Sequence, residues 1–535
     1  MRKKIISLSL IFMMCIGMLA GCANKDQITE NKIDYDYEQK LHVVDDNYRN
    51  YYEIFVYSFY DSNGDGVGDL QGVIEKLDYI EYMGFNGIWL MPIMNSPTYH
   101  KYDITNYYEI DDEYGTMEDF EKLVEECHKR DINIIIDFVM NHTSSAHPWF
   151  TEAKAYLRGL EKGEEPDVAE CPYVEYYNFT KEYQGSTFYS VSNDWYYEGE
   201  FWSEMPDLNF ESEALKKEFE DIAKFWIEKG VDGFRMDAVM HIYEEHTVKN
   251  NELLDWFYTY CKSLNPDFYM VSEVWAGAST VEAYYKSGTD SMFNFPFSQV
   301  DGYLIRTGRS KFEASELVDA MIAWDDAITA NNPNAIDAPF LTNHDHVRVS
   351  NNLNNDEDNI KFAGGLMLMM NGSPFVYYGE EIGMTSAGDK DENKRLPMVW
   401  SDADTTGMSK GPSGINTSLK SAFEAVDEQL KDGHSILNYY RRAIRLRNEN
   451  PEIARGDMKK IDSLCDGHQA VITKTYGDST IAIVYNTSEE EIKVDIKGSE
   501  IEEMLIRGYL TLKGEEITLE DGVLTMPAKS ICILK

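Results

Sequence analysis

Short apolar runs recur along the chain, and most of them end in a carboxylate, a histidine or an asparagine. YYEIFVYSF, GIWLMPI, INIIIDFVMNH, VDGFRMDAVMH, FYMVSEVW, APFLTNHDH and PFVYYGEE are of this kind and read as strands. Between them the apolar positions take helical spacing, as at Val73, Ile74, Leu77 and Ile80. The same spacing predicts helices over Met117–Lys129, Glu316–Ala330 and Asn359–Met370. From about Met458 the pattern changes to short alternating strands, AVITKTY, STIAIVYN and EIKVDI, with turn signals between them. That fits a small antiparallel sandwich at the C-terminal end.

In VDGFRMDAVMH, Arg235 and Asp237 stand two positions apart, so both side chains leave the same face of the strand. A guanidinium beside a carboxylate keeps it ionised, as a nucleophile requires. FYMVSEVW ends in Glu273, and APFLTNHDH ends in His344 and Asp345. A (β/α)8 barrel of about 250 residues spends about 31 on each strand-plus-helix unit and assembles its active site at the C-terminal strand ends. Asp237 to Glu273 is 36 positions and Glu273 to Asp345 is 72, close to one unit and two, which brings three carboxylates to one mouth. Asp137 to Asp237 is 100 positions. The surplus, residues 143–210, reads as a small domain inserted after the third strand. The predicted fold is therefore α/β: a (β/α)8 TIM barrel over 51–142 and 211–455, the insertion, and a C-terminal antiparallel β-sandwich over 456–535.

Four stretches, IIIDFVMNH, GFRMD, SEVW and NHD, resemble in order and in position the four short signatures of the α-amylase family, glycoside hydrolase family 13. GIWLMPI, MPDLN and GSPFVYYGEE resemble its secondary signatures, and the likeness runs from about Tyr52 to the C-terminus. The resemblance implies Asp237 as nucleophile, Glu273 as acid/base and Asp345 as stabiliser of the transition state. It further implies that Tyr102 stacks on the sugar at the cleavage point and that His142 and His344 bond its hydroxyls. Arg235 would hold the nucleophile ionised, and Arg395, in RLPMVW, would contact sugar. Asp137, inside the third strand, reads as a buried structural acid. Tyr107 and Tyr108 read as part of a tyrosine-rich surface loop. In the insertion, DWYYEGEFW offers Trp195, Tyr196 and Trp202 as platforms for sugar rings. MPDLN resembles the form found in a subgroup intermediate between oligo-1,6-glucosidases and neopullulanases. Ala238 resembles the α-1,4-acting side of the family, where α-1,6-acting members tend to carry valine. Met240-His241 departs from the Lys-His of many α-amylases, which puts the leaving-group side in question.

The first strand runs into DSNGDGVGDL, where Asp61, Asn63, Asp65 and Asp69 alternate and Val67 can offer its carbonyl. Oxygen donors at such spacing suit Ca²⁺. An EF-hand would need Glu at the twelfth position, where Gly72 stands. A similar loop in several α-amylase relatives implies a structural Ca²⁺, and Asn141 resembles a ligand of a second, interdomain calcium. GDGVG lacks the ending of a phosphate-binding loop.

Of 535 residues, 94 are acidic and 49 basic, a formal net charge of −45, which disfavours nucleic acid as a partner. Arg2, Lys3 and Lys4 precede an apolar run, Ile5 to Leu19, too short to span a membrane but right for a signal peptide over 1–21. Leu19-Ala20-Gly21-Cys22 resembles a bacterial lipobox, which implies lipidation at Cys22, a polar tether over 22–50 and an extracytoplasmic enzyme anchored to the cell membrane. Cys127, Cys171, Cys261, Cys465 and Cys532 are scattered, which argues against a disulfide framework and against zinc.

The resemblance, with the three carboxylates at one mouth, implies a retaining hydrolase of α-1,4-linked glucans such as starch or maltodextrins. The same residues would serve a 4-α-glucanotransferase, and a surface glucan-binding lipoprotein without catalysis is the non-enzymatic alternative. Oligomeric state is left open.

Overall fold

Seven strands are buried along their length, with only Asn133 at the start of the third half-buried, and so need partners on both edges: β1 (Tyr51–Ile54), β2 (Gly87–Leu90), β3 (Asn133–Phe138), β4 (Gly233–Met236), β5 (Tyr269–Ser272), β6 (Ser291–Met292) and β7 (Phe375–Tyr377). The computed structural model, which describes residue 44 and residues 46–535 apart from 193, 245, 389 and 417–420, pairs them in parallel in the order β6-β5-β4-β3-β2-β1-β7. The predicted leader, Cys22 and most of the tether lie outside the described residues. The open edges of β6 and β7 meet through residues 338–340. Phe293 bridges to Ala338 and Phe340 to Phe375, both in parallel, so the ring closes. Pro339 stands between the two bridges and has no N–H to donate, which accounts for an eighth strand reduced to single bridges.

Aromatic side chains fill the barrel. Tyr51 lies flat between Tyr269, 5.3 Å away, and Phe375, 4.7 Å away, with Trp89, Phe293 and Phe340 in the same cluster. Gly87 makes room for this plug, since a Cβ there would come within 2.5 Å of the Tyr51 ring. Outside the ring, the helical spacing at Val73–Ile80 is realised as two short helices, α1 (Leu70–Glu75) and α2 (Leu77–Met83), joined at Lys76. The Lys76 ammonium lies over the rings of Tyr60 and Trp400, at 3.9 and 4.3 Å. Helix α3 (Met117–His128) starts at a Thr116–Asp119 capping box, and α4 (Glu213–Glu228) starts at the Ser212 cap. Next come α5 (Thr247–Leu264), α6 (Ala314–Asn331) and α7 (Glu357–Leu368). No helix among the described residues is long and apolar enough to cross a membrane.

Between β3 and α4 the chain forms a helix (Pro148–Gly159) and a three-stranded antiparallel sheet, with Trp195–Glu198 between Phe179–Thr180 and Phe188–Ser192. At the other end of the chain, five strands and three strands form two antiparallel sheets around a shared core that includes Val471, Val484, Ile496, Leu524 and Cys532. Lys474 of this C-terminal unit is fully buried, and its ammonium is received by the carbonyls of Met369 and Ile453.

Phe257 of α5 packs against Phe138 at 5.3 Å and Phe234 at 6.2 Å, and those two rings stack on each other at 4.2 Å. This trio fixes β3 and β4 side by side. Phe257→Ala is expected to lower the free energy of unfolding by about 3–5 kcal/mol, measured as a fall in the denaturant midpoint. An unchanged midpoint would mean that the trio does not hold the two strands.

Candidate active site

Register is what builds the site. Asp137 of β3 pairs directly with Arg235 of β4, and Val271 of β5 pairs with Arg235 on the other edge, so the residue two beyond Val271, Glu273, arrives level with Asp237, two beyond Arg235. Arg235 is fully buried. Its Nη1 is 2.6 Å from Asp237 Oδ1 and 2.8 Å from Asp137 Oδ1, and its Nη2 is 3.1 Å from Glu273 Oε2. The guanidinium also lies 5.2 Å from the Trp89 ring centroid. Asp137 is thus a buried acid, as the sequence implies, but one in direct contact with the central cation.

Three carboxyls cannot all stay ionised around one buried cation. Burial pushes the Asp137 carboxyl up to about 7, against the pull of Arg235 and with the push of Asp237. Burial also raises Glu273, opposed by Arg235 and reinforced by Asp237 and Asp345. The backbone N–H of Ala238 donates to Glu273 Oε2 at 3.2 Å. Ala238 stands at φ 47°, a left-handed conformation that costs a non-glycine residue about 1–2 kcal/mol. The turn that brings this N–H to Glu273 directly follows Asp237.

Asp345 experiences the opposite field. Burial alone would raise its pKa, but His344 Nε2 at 3.0 Å and Arg395 Nη2 at 2.6 Å, with Arg235 beyond, hold the carboxyl well below the usual range. Burial works against a charge on His344, yet Asp345 and Glu53 outweigh it and push the imidazole up to about 9. Glu53 Oε1 lies 2.6 Å from His344 Nδ1. Tyr102 Oη is 2.7 Å from His344 Nε2 and donates to Asp137 Oδ2 at 3.0 Å, while its ring stacks on the imidazole. His142 is buried and held neutral by that burial, and its Nε2 has no hydrogen-bond partner among the described residues.

Asp237, Glu273, Asp345, Tyr102, His142 and Arg395 all line one cleft of about 490 Å³. Phe201, Trp202 and Trp275 line it too, and each is roughly half exposed, at 48%, 47% and 49%. Trp202 is therefore available as a platform. Trp195 is not: it is 7% exposed in the core of the insertion. Tyr107, expected in a surface loop, is likewise buried and donates to the Val139 carbonyl. Glu53, Phe201 and Trp275 were not singled out by sequence; Trp275, two places after Glu273 in SEVW, carried the clearest local signal.

The loop after β1 wraps on itself. Asp61 accepts from the N–H groups of Gly64 and Gly66, Asn63 from that of Asp65, Asp65 from that of Val67, and Asp69 from those of Ser62 and Gly72. Its donor set is all oxygen, the chemistry Ca²⁺ takes. No three His, Cys, Asp or Glu side chains among the described residues gather into a metal cluster. At Asn141, Oδ1 is buried without a partner among the described residues, and Nδ2 is 3.2 Å from Asp207 Oδ1.

The model of the α-amylase catalytic domain matches residues 53–456. The chain is 39% identical to α-amylase 3 of Dictyoglomus thermophilum, with 83% of each chain covered. It is 30% identical to an oligo-1,6-glucosidase of Bacillus cereus, over 88% of this chain and 96% of that one. Among solved structures, Eubacterium rectale Amy13B superposes with a TM-score of 0.89 at 43% identity, over 92% of this chain and 96% of that one. With its parallel barrel, its carboxyl-lined mouth and a family match across most of its length, the chain belongs to the α-amylase family of glycoside hydrolases.

Proposed function

We propose that this chain is a retaining hydrolase of α-1,4-glucosidic bonds in starch, maltodextrins or related α-glucans. The observation that carries the reading is Arg235, which joins Asp237 and Glu273 through one guanidinium while their surroundings differ. Retaining glycosidases set two carboxyls about 5–5.5 Å apart, one ionised and one protonated. Glu273, raised by burial, gives its proton to the glycosidic oxygen as the C1–O bond breaks. The Asp237 carboxylate then forms a bond to C1. In the second step water attacks C1, its proton passes to Glu273, and Asp237 is released. Asp345, kept ionised by His344 and Arg395, faces the positive charge that develops on the sugar. Tyr102 and His142 bond or stack against that sugar. Ala238 and the 39% identity to an α-amylase support the α-1,4 linkage, and MPDLN supports the intermediate subgroup.

Calcium at Asp61, Asn63, Asp65, Val67 and Asp69 would brace the loop between β1 and α1, and a second at Asn141 would tie the insertion to the barrel. Their support is the all-oxygen donor set and the partnerless Asn141 Oδ1. The Arg2–Leu19 leader and Cys22 support an enzyme lipid-anchored outside the cytoplasm.

Glu273→Gln is expected to cut turnover of maltoheptaose by at least about 10²–10⁴-fold while binding persists; retained turnover sinks the assignment. Short maltooligosaccharides released from soluble starch support hydrolysis, whereas products longer than the maltoheptaose supplied make the chain a transferase. Because Glu273 must hold its proton for the first step, kcat/KM should fall as pH rises through its raised pKa. The alkaline limb then lies above the ordinary Glu value of 4.5, and a limb at or below that value contradicts the role. Chelation of Ca²⁺ should lower the melting temperature of the wild type, and Asp61→Ala should abolish most of that chelator effect; equal shifts in both proteins would remove calcium from the loop.

A further inference from the structure

A second groove of about 460 Å³ opens beside the cleft, between the inserted domain's sheet and the segment that follows Asp237. Alternation along Trp195–Glu198 points Trp195 and Tyr197 inward and leaves Tyr196 and Glu198 on the outer face. Glu198, with Asn178, Thr180 and Gln184, lines one wall, and Tyr243 and Glu244 come from the barrel side. Asn178 Nδ2 donates to Glu198 Oε2 at 2.8 Å, and Gln184 Nε2 to Thr180 Oγ1 at 3.4 Å. His241 lines both this groove and the cleft, so the two adjoin. The same sheet face continues to Tyr196, which pairs across strands with Thr180, and against it rests Tyr183, 62% exposed, with ring centroids 5.6 Å apart.

Amides, carboxylates and a hydroxyl along a trough, with an aromatic pair beyond it, Tyr183 exposed and Tyr196 half-buried, form a lining suited to sugar: hydroxyls find donors and acceptors, and pyranose faces find rings. Burial raises the Glu198 carboxyl against the bond from Asn178, and the neighbouring Glu244 carboxyl adds to the rise. Lys249 and two histidines, His241 and His246, also line the groove, but the Lys249 ammonium is already paired with Glu211 at 2.7 Å, so the two carboxyls side by side disfavour an anionic ligand and leave a neutral polyol or a cation. The aromatic pair and the continuity with the cleft favour the polyol.

We propose that this groove is a second α-glucan-binding site, which holds glucosyl units remote from the bond being cut. The proposal rests on the reading of the chain as an α-glucan hydrolase. It makes the enzyme favour long chains without any change at the reacting carboxyls.

The test uses the full-length chain with Tyr183→Ala and Gln184→Ala, both exposed positions away from the cleft, and Tyr183→Trp as the conservative variant. In active enzyme, the alanine variants should lose about tenfold in kcat/KM on maltoheptaose, equivalent to about 1.4 kcal/mol, with maltotriose unchanged and the tryptophan variant near wild type. In the Glu273→Gln background, calorimetric titration with maltoheptaose should show the same loss of affinity. Equal losses on both sugars, or no loss on either, overturn the groove. So does a groove that takes up Ca²⁺, with uptake lost in Glu244→Gln and glucan affinity kept. If the wild type neither cleaves nor binds maltoheptaose, the functional reading falls and the groove proposal falls with it; if the wild type cleaves and only the variants fail to differ, the groove alone is refuted.

Discussion

One buried guanidinium sets the terms for everything at the mouth of this barrel. Arg235 touches Asp137, Asp237 and Glu273 at once, and a single positive charge cannot keep three carboxyls ionised in a dry environment. A proton must remain somewhere in the cluster. Burial and neighbouring charge direct it to Asp137 and Glu273, while a separate pair of cations, His344 and Arg395, holds Asp345 ionised. Asp345 is thus set apart from Asp137 and Glu273 by the cations that it meets rather than by residue type.

The barrel exists to hold that arrangement in register. Parallel pairing brings Asp137, Arg235 and Val271 level with one another, and the aromatic plug of Tyr51, Tyr269 and Phe375 packs the interior of the same barrel. Glu53 extends the network around the ring: from the first strand it meets His344, 291 positions away. The field around Asp345 therefore depends on closure at residues 338–340, where two single bridges take the place of a ladder.

Much of this was readable from the residues. The strands that carry Arg235, Asp237 and Glu273 announce themselves because apolar run and functional group are contiguous, and their spacing counts out barrel units. Helices α6 and α7 fall within a few residues of their predicted bounds. What escaped depends on contacts that no local pattern encodes. Glu53 reads as one acid in an apolar strand until the ring closes. Trp195 and Trp202 look alike in DWYYEGEFW, yet strand alternation turns the first into the core, while the second lies past the strand end and faces the cleft. At the break, Lys76 meets two aromatic rings, one of them more than three hundred residues downstream, a contact that helical spacing alone does not announce.

Ala238 links backbone conformation to both the acid and the wall of the cleft. Its left-handed φ places an N–H on Glu273, and a β-branched side chain tolerates that conformation far less well than alanine does. A change to valine at this position would reshape the wall of the cleft and at the same time load the turn that supports the acid. Residue 238 thus serves two surfaces at once, and any side chain placed there is felt both by whatever occupies the cleft and by the carboxyl that its own N–H supports.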